Sequence, residues 1–210
     1  LPEETHLVVS EDAEERYVSR AGLKLEALIE ALGMTLEGRL VLDVGQSTGG
    51  FTDCALAYGA RHVIGIEVGH DQLDTDLRDD PRVTCLEGIN ARTMASDPRL
   101  REALISLGVT APDHAVMDVS FISQRLILPQ LATLLRPGGE LLSLVKPQFE
   151  VGPGGVNARG IVTDPRRYDD VETAIRACCA EQNLAIRHWQ ESPITGGDGN
   201  REFLLHAVKG

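Results

Sequence analysis

A chain of 210 residues, 42% of them hydrophobic, is long enough to bury one sizeable core and lies in the size range of a single α/β domain. The formal net charge of −12 excludes a generic binder of phosphate backbones, whose affinity comes from Lys and Arg, although much of the acidity sits in Glu3 to Glu15 and Asp71 to Asp80 and says little about any one face. No apolar run approaches the roughly 20 residues of a membrane helix, and Leu1 to Glu15 lacks the basic start and apolar middle of a signal peptide, so a soluble, cytoplasmic protein is expected.

Residues 1–16 read as an acidic lead-in and 17–210 as one folded domain; the opening Leu1-Pro2, without a methionine, suggests a piece of something longer. Leu25, Leu28, Ile29 and Leu32 recur at helical spacing and stop at Gly33, which predicts an amphipathic helix. Leu40 to Val44 is a short apolar strand closing on Gly45, followed by a glycine-rich turn and a helical stretch to Gly59. The alternation then repeats: strand His62 to Val68, short helix Leu73 to Arg78, strand Val83 to Leu86, helix Pro98 to Leu107, strand Ala115 to Val119, helix Gln124 to Leu135 and strand Glu140 to Val145. Strands that alternate with helices and are apolar almost throughout predict a mostly parallel sheet covered on both faces. Gln148 to Thr163 is glycine-rich and aperiodic and reads as a long, lid-like loop. Helix Pro165 to Gln182, strand Ala185 to Gln190, a turn at Thr195 to Asn200 and strand Arg201 to Val208 close the chain with an antiparallel hairpin. That ending is usual for a class I methyltransferase, with its seven-stranded Rossmann-like sheet, and uncommon in dehydrogenases. Cys54, Cys85, Cys178 and Cys179 form no C-x-x-C pair and have no clustered histidines beside them, so they read as reduced, buried small side chains with no metal expected.

The first strand's end, Asp43-Val44-Gly45-Gln46-Ser47-Thr48-Gly49-Gly50-Phe51, lets the backbone turn sharply and bring N–H groups against a ligand. It is neither the G-x-G-x-x-G dinucleotide fingerprint nor a P-loop. Glu67, about 20 residues on at the end of the second strand and followed by Val68, can accept hydrogen bonds from ribose hydroxyls. Loop and acid within one βαβ unit favour an adenosyl cofactor, with Asn90 a candidate for the adenine edge or a mere turn former.

Lys146 follows the apolar run Leu141 to Val145, and Asp118 ends the neighbouring strand, so both emerge where open α/β sheets place ligands. Glu202 opens the last strand, and Lys24 lies between hydrophobes on the first helix. The four read either as a Lys-Asp-Lys-Glu cluster or as two structural salt bridges.

The stretches Tyr17-Val18-Ser19-Arg20, Gly49-Gly50-Phe51-Thr52-Asp53-Cys54, Asp118-Val119-Ser120-Phe121-Ile122, Val145-Lys146-Pro147-Gln148-Phe149-Glu150 and Gly199-Asn200-Arg201-Glu202-Phe203 resemble the TlyA/hemolysin-A family of FtsJ-like RNA methyltransferases, in order, from about Tyr17 to Val208. The resemblance implies S-adenosylmethionine as methyl donor, with S-adenosylhomocysteine as its product, a ribose 2′-hydroxyl of ribosomal RNA or a ribosomal subunit as acceptor, and a tetrad formed by Lys24, Asp118, Lys146 and Glu202. Two departures are the family's N-terminal S4-type RNA-binding domain, which has no counterpart in these residues, and Gln46 where a small residue is common. Lys146 is the expected proton acceptor or positioner of the hydroxyl, the carboxylates orient the lysines, and Arg16, Arg20, Arg159, Arg166, Arg167 and Arg201 are candidates for an RNA-facing rim. Other readings are a membrane-active hemolysin, disfavoured by the lack of a spanning segment or basic amphipathic helix; a nicotinamide oxidoreductase, disfavoured by the late glycines and closing hairpin; and a cofactor binder without turnover. Neither the oligomeric state nor the modified nucleotide is readable.

Overall fold

The computed structural model describes residues 15–210; most of the acidic lead-in, residues 1–14, lies outside the described residues. Seven strands, β1 (Leu40–Val44), β2 (His62–Glu67), β3 (Val83–Glu87), β4 (His114–Met117), β5 (Glu140–Val145), β6 (Leu184–Glu191) and β7 (Phe203–Lys209), form one sheet in the order β3-β2-β1-β4-β5-β7-β6. β1 to β5 run parallel, and β7 is antiparallel to both of its neighbours, β5 and β6. The strand order reverses beside β1, so the carboxyl ends of β1 and β4 open a crevice where this kind of sheet receives ligands.

Alternation along each strand supplies both faces. Leu40, Leu42 and Val44 of β1 and Ala115 and Met117 of β4 point to one layer, built with Leu100 and Leu104, Leu128 and Leu131, and Val171 and Ile175 of later helices. Val41, Val116, Leu142 and Leu204 point to the other, under Leu25, Leu28 and Ile29 and under Phe51, Cys54 and Ala55. Each fully buried Leu or Ile contributes about 2 kcal/mol of transfer free energy, so the sheet is held from both sides. The helices are α1 (Ala21–Leu32), α2 (Gly50–Ala57), α3 (Thr75–Arg78), α4 (Pro98–Ser106), α5 (Leu128–Leu134) and α6 (Arg166–Glu181). α1 stops at Gly33, whose φ of 60° lets its N–H close back on Glu30 and Ile29.

Several boundaries differ from expectation for identifiable reasons. The helix expected over Gln124 to Leu135 is a 3-10 turn, Gln124–Leu126, followed by α5, because Pro129 can enter only the first turn of a helix. The helix expected from Leu73 starts at Thr75 instead, with Asp74 capping it by accepting from Asp76 N. β4 ends at Met117 rather than Val119, so Asp118 lies in the loop past the strand. The loop over 148–163 contains 3-10 turns at Pro147–Phe149 and Pro153–Gly155 and is tied to the β6–β7 hairpin by Asn200, whose Oδ1 accepts from Val162 N and whose Nδ2 donates to Gly160 O. All four cysteines are free thiols, with Cys54 and Cys179 buried. Among the described residues no helix is long and apolar enough to cross a membrane.

Candidate functional site

Past the carboxyl ends of β1, β2 and β4 lies a cleft of about 420 Å³, lined by Gly45, Ser47, Glu67, Val68, Asn90, Asp118 and Phe121 among others. A smaller cavity of about 60 Å³ shares Gly45, Ser47 and Asp118 with it and adds Thr48, Gly50, Phe51 and Gln46. Gly45 is required where it stands: its φ is 82°, and a Cβ there would sit 2.2 Å from Asp118 O. Gly49 lines neither space. Its missing Cβ leaves room for Leu73 and Leu77, so packing alone already accounts for a glycine at this position. Phe51 is only 3% exposed and belongs to the core, and it also borders the small cavity.

Glu67 is buried and accepts from the backbone N–H groups of Ser47 at 2.7 Å and Gly69 at 2.8 Å, which locks the glycine turn to the end of β2. Asn90 lines the cleft, and its Oδ1 accepts from Arg92 N to start the turn Ala91–Ser96. Beneath the turn, Asp43 is fully buried on β1. Thr52 Oγ1 donates to its Oδ2 at 2.7 Å, Gln46 Nε2 donates to Thr52 Oγ1 at 2.9 Å, and Asp43 Oδ1 has no partner among the described residues. Burial pushes the Asp43 carboxyl up to about 7, with the Thr52 bond opposing and the charges of Asp118 and Glu67 adding to the rise.

The four predicted polar residues form two ion pairs. Lys146 Nζ lies 2.5 Å from Asp118 Oδ1 and donates to Ser120 Oγ at 3.0 Å. Lys24 Nζ donates to Glu202 Oε1 at 2.7 Å, and both of these side chains are buried. The pairs adjoin because Val145 of β5 faces Phe203 of β7, so Lys146 and Glu202 are the next residues out on neighbouring strands, and Gln148 Nε2 donates to Glu202 Oε2 at 3.1 Å. A desolvated amine held this close to a carboxylate is oriented rather than merely solvated, which is what a proton-transfer site requires.

Residues that the sequence did not single out complete the frame. Glu150 accepts from Ser123 Oγ at 2.7 Å and Gln124 N at 2.9 Å, tying the loop after β5 to the loop after β4; its burial raises its carboxyl, opposed by those bonds. Phe121, at φ 62° and 90% exposed, stands at the lip of the cleft with its ring 4.9 Å from that of Phe149. A charge pattern does not reveal such a residue; a large aromatic near a motif Asp is the signal that the sequence offers. Of the candidate arginine rim, Arg16 is paired with Glu26, Arg166 with Asp164 and Arg201 with Glu191, so these three are partly neutralised on the surface.

The chain is similar to several known proteins. It is 46% identical over 191 residues to YqxC of Bacillus subtilis, covering 91% of this chain and 65% of that protein. It is 39% identical over 201 residues to the 16S/23S rRNA (cytidine-2'-O)-methyltransferase TlyA of Mycobacterium tuberculosis, covering 96% of this chain and 72% of that protein. A solved hemolysin-named chain from Streptococcus thermophilus superposes with a TM-score of 0.83 at 41% identity, covering 92% of this chain and 67% of that one. The chain thus spans about two thirds of the length of these relatives. A family model for FtsJ-like methyltransferase matches residues 17–209, and the chain belongs to that family.

Proposed function

We propose that the chain transfers the methyl group of S-adenosylmethionine to a ribose 2′-hydroxyl of ribosomal RNA. The observation that carries this reading is the Lys146–Asp118 pair, whose carboxylate lines an adenosine-sized cleft, with the buried Lys24–Glu202 pair next to it through the β5–β7 register. The residues present fit the cofactor by charge as well as by size. Asp43, Glu67 and Asp118 surround the glycine turn, a field that attracts a sulfonium and an α-ammonium and repels the pyrophosphate of a dinucleotide. Glu67, fixed by two backbone amides, keeps lone pairs for ribose hydroxyls, and the unpartnered Asp43 Oδ1 sits under the turn that borders the smaller cavity.

When bound, S-adenosylmethionine supplies an electrophilic methyl carbon. As a neutral amine, having first given its own proton to solvent, Lys146 would take the proton of the ribose hydroxyl as the hydroxyl oxygen bonds to the methyl carbon and S-adenosylhomocysteine leaves; as an ammonium it would hold that hydroxyl in line while the proton goes to solvent, with Asp118 and Ser120 fixing the side chain in either case. The Lys24–Glu202 pair, buried beside it, sets the charge against which that proton moves. Phe121 offers an exposed ring on which the base of a splayed-out nucleotide can stack, the usual way proteins engage a single RNA base. The relatives named for rRNA cytidine-2'-O methylation support the choice of acceptor. The test is labelled-methyl transfer to ribosomal subunits from a strain lacking the modification, with nuclease mapping of the product: label on a ribose is expected, and label on a base, or none, contradicts the reading.

A further inference from the structure

Glu202 has two oxygens and two donors: Lys24 takes Oε1 at 2.7 Å, and the Gln148 amide takes Oε2 at 3.1 Å. Gln148 reaches it because Pro147–Phe149 is a 3-10 turn that follows Lys146 directly and folds the chain back over the start of β7. This matters because Lys146 and Glu202 are register neighbours, one residue beyond the Val145–Phe203 pair. A buried carboxylate left with a free oxygen beside an ammonium turns toward it, since the Glu202 carboxylate cannot recover its hydration. Lys146 would then face two carboxylates, Asp118 and Glu202, and would hold its proton more tightly than it does facing one.

We infer that Gln148 is a positioning residue that commits Glu202 to Lys24 and withholds it from Lys146, so that Lys146 can exchange a proton with the substrate hydroxyl. The inference rests on the proposed methyl transfer for its purpose, though its geometry does not. Lys146 is held by Asp118 and the Ser120 hydroxyl beyond β4; Glu202, one residue before β7, is its register neighbour and is paired with Lys24 of α1, whose charge also helps to lower the Asp198 carboxyl of the hairpin. The Gln148 carbonyl oxygen is buried without a partner among the described residues, a cost tolerated for a residue whose other end has a task.

The experiment measures the pH dependence of Lys146 acetylation by trace acetic anhydride, read by mass spectrometry on the whole chain, which needs no substrate. Gln148→Met fills the same space without a donor, and Gln148→Leu is the second variant; thermal melting and S-adenosylhomocysteine titration identify whichever is folded. The labelling midpoint of Lys146 should rise by about one pH unit, about tenfold less free amine at a given pH. In a Glu202→Gln background, where no carboxylate is left to turn, removing Gln148 should move the midpoint little. An unchanged midpoint in a folded Gln148 variant overturns the inference, as does the same rise without the Glu202 carboxylate. Because labelling is independent of turnover, a wild-type chain that transferred no methyl would count against the proposed function and leave this reading to stand or fall on the midpoints. Where transfer is observed, the rate-against-pH profile of Gln148→Met should move by the same amount and in the same direction.

Discussion

Replacing Asp43 by Asn should stabilise the chain above neutral pH while weakening its hold on cofactor. The carboxyl is fully buried, takes one hydrogen bond from Thr52 at 2.7 Å and leaves Oδ1 unpartnered among the described residues. Its pKa is raised from 3.8 to about 7, chiefly by burial, with the Thr52 bond opposing and Asp118 and Glu67 reinforcing. Between those values the folded chain binds a proton that the unfolded chain has released. The group's stabilising contribution is therefore fully present below about pH 4 and is lost as pH rises through about 7. A difference of about three units corresponds to about 4 kcal/mol, or roughly 10 °C in Tm for a chain of this size. Denaturant unfolding of wild type and Asp43→Asn between pH 4 and pH 8.5 should give stabilities that converge at the acid end and separate by several kcal/mol at the alkaline end, with Asn the more stable. A gap of constant size across that range, or an Asn variant less stable at alkaline pH, refutes the reasoning. Calorimetric titration at pH 8.5, where the Asp43 carboxyl is ionised, should show S-adenosylmethionine bound more weakly by the variant, since a negative charge beneath the glycine turn has been removed.

Gly45→Ala places a methyl 2.2 Å from Asp118 O at a φ of 82°, so a loss of about 1–3 kcal/mol in denaturant unfolding is expected, together with loss of cofactor binding. Glu67→Gln breaks a carboxylate bound by Ser47 N and Gly69 N; cofactor titration should show at least about tenfold weaker binding, the equivalent of one charge-assisted hydrogen bond. Phe121→Ala exposes no core, so melting should be unchanged, while RNA binding should weaken by about 1–3 kcal/mol in a filter-binding assay.

The sheet was legible because β1, β4 and β5 are almost wholly apolar and each is followed by a turn or helix signal, which is what burial on both faces demands. The helix break at Pro129 and the early end of β4 were less visible, since periodicity continues through Leu128 and Leu131 and through Val119 regardless of where backbone hydrogen bonds stop. At the site, residues at strand ends were readable one by one, but their partners were not: Lys24 and Glu202 are separated by 178 positions, and only the β5–β7 register and the packing of α1 bring them together. Asp43 had a signal that went unused, a lone carboxylate inside the buried run Leu40–Val44. Gln148 and Glu150 had none beyond their motif, because their roles depend on which neighbour's lone pairs remain open.

The most direct measurement is single-turnover methyl transfer to ribosomal subunits by wild type and Lys146→Ala, with S-adenosylhomocysteine affinity determined on the same preparations. Lys146 meets Asp118 and Ser120 at the rim of the cleft rather than within it, so the account predicts a fall of about 10²-fold or more in rate with cofactor affinity within about twofold of wild type. Near-normal transfer by Lys146→Ala would contradict it.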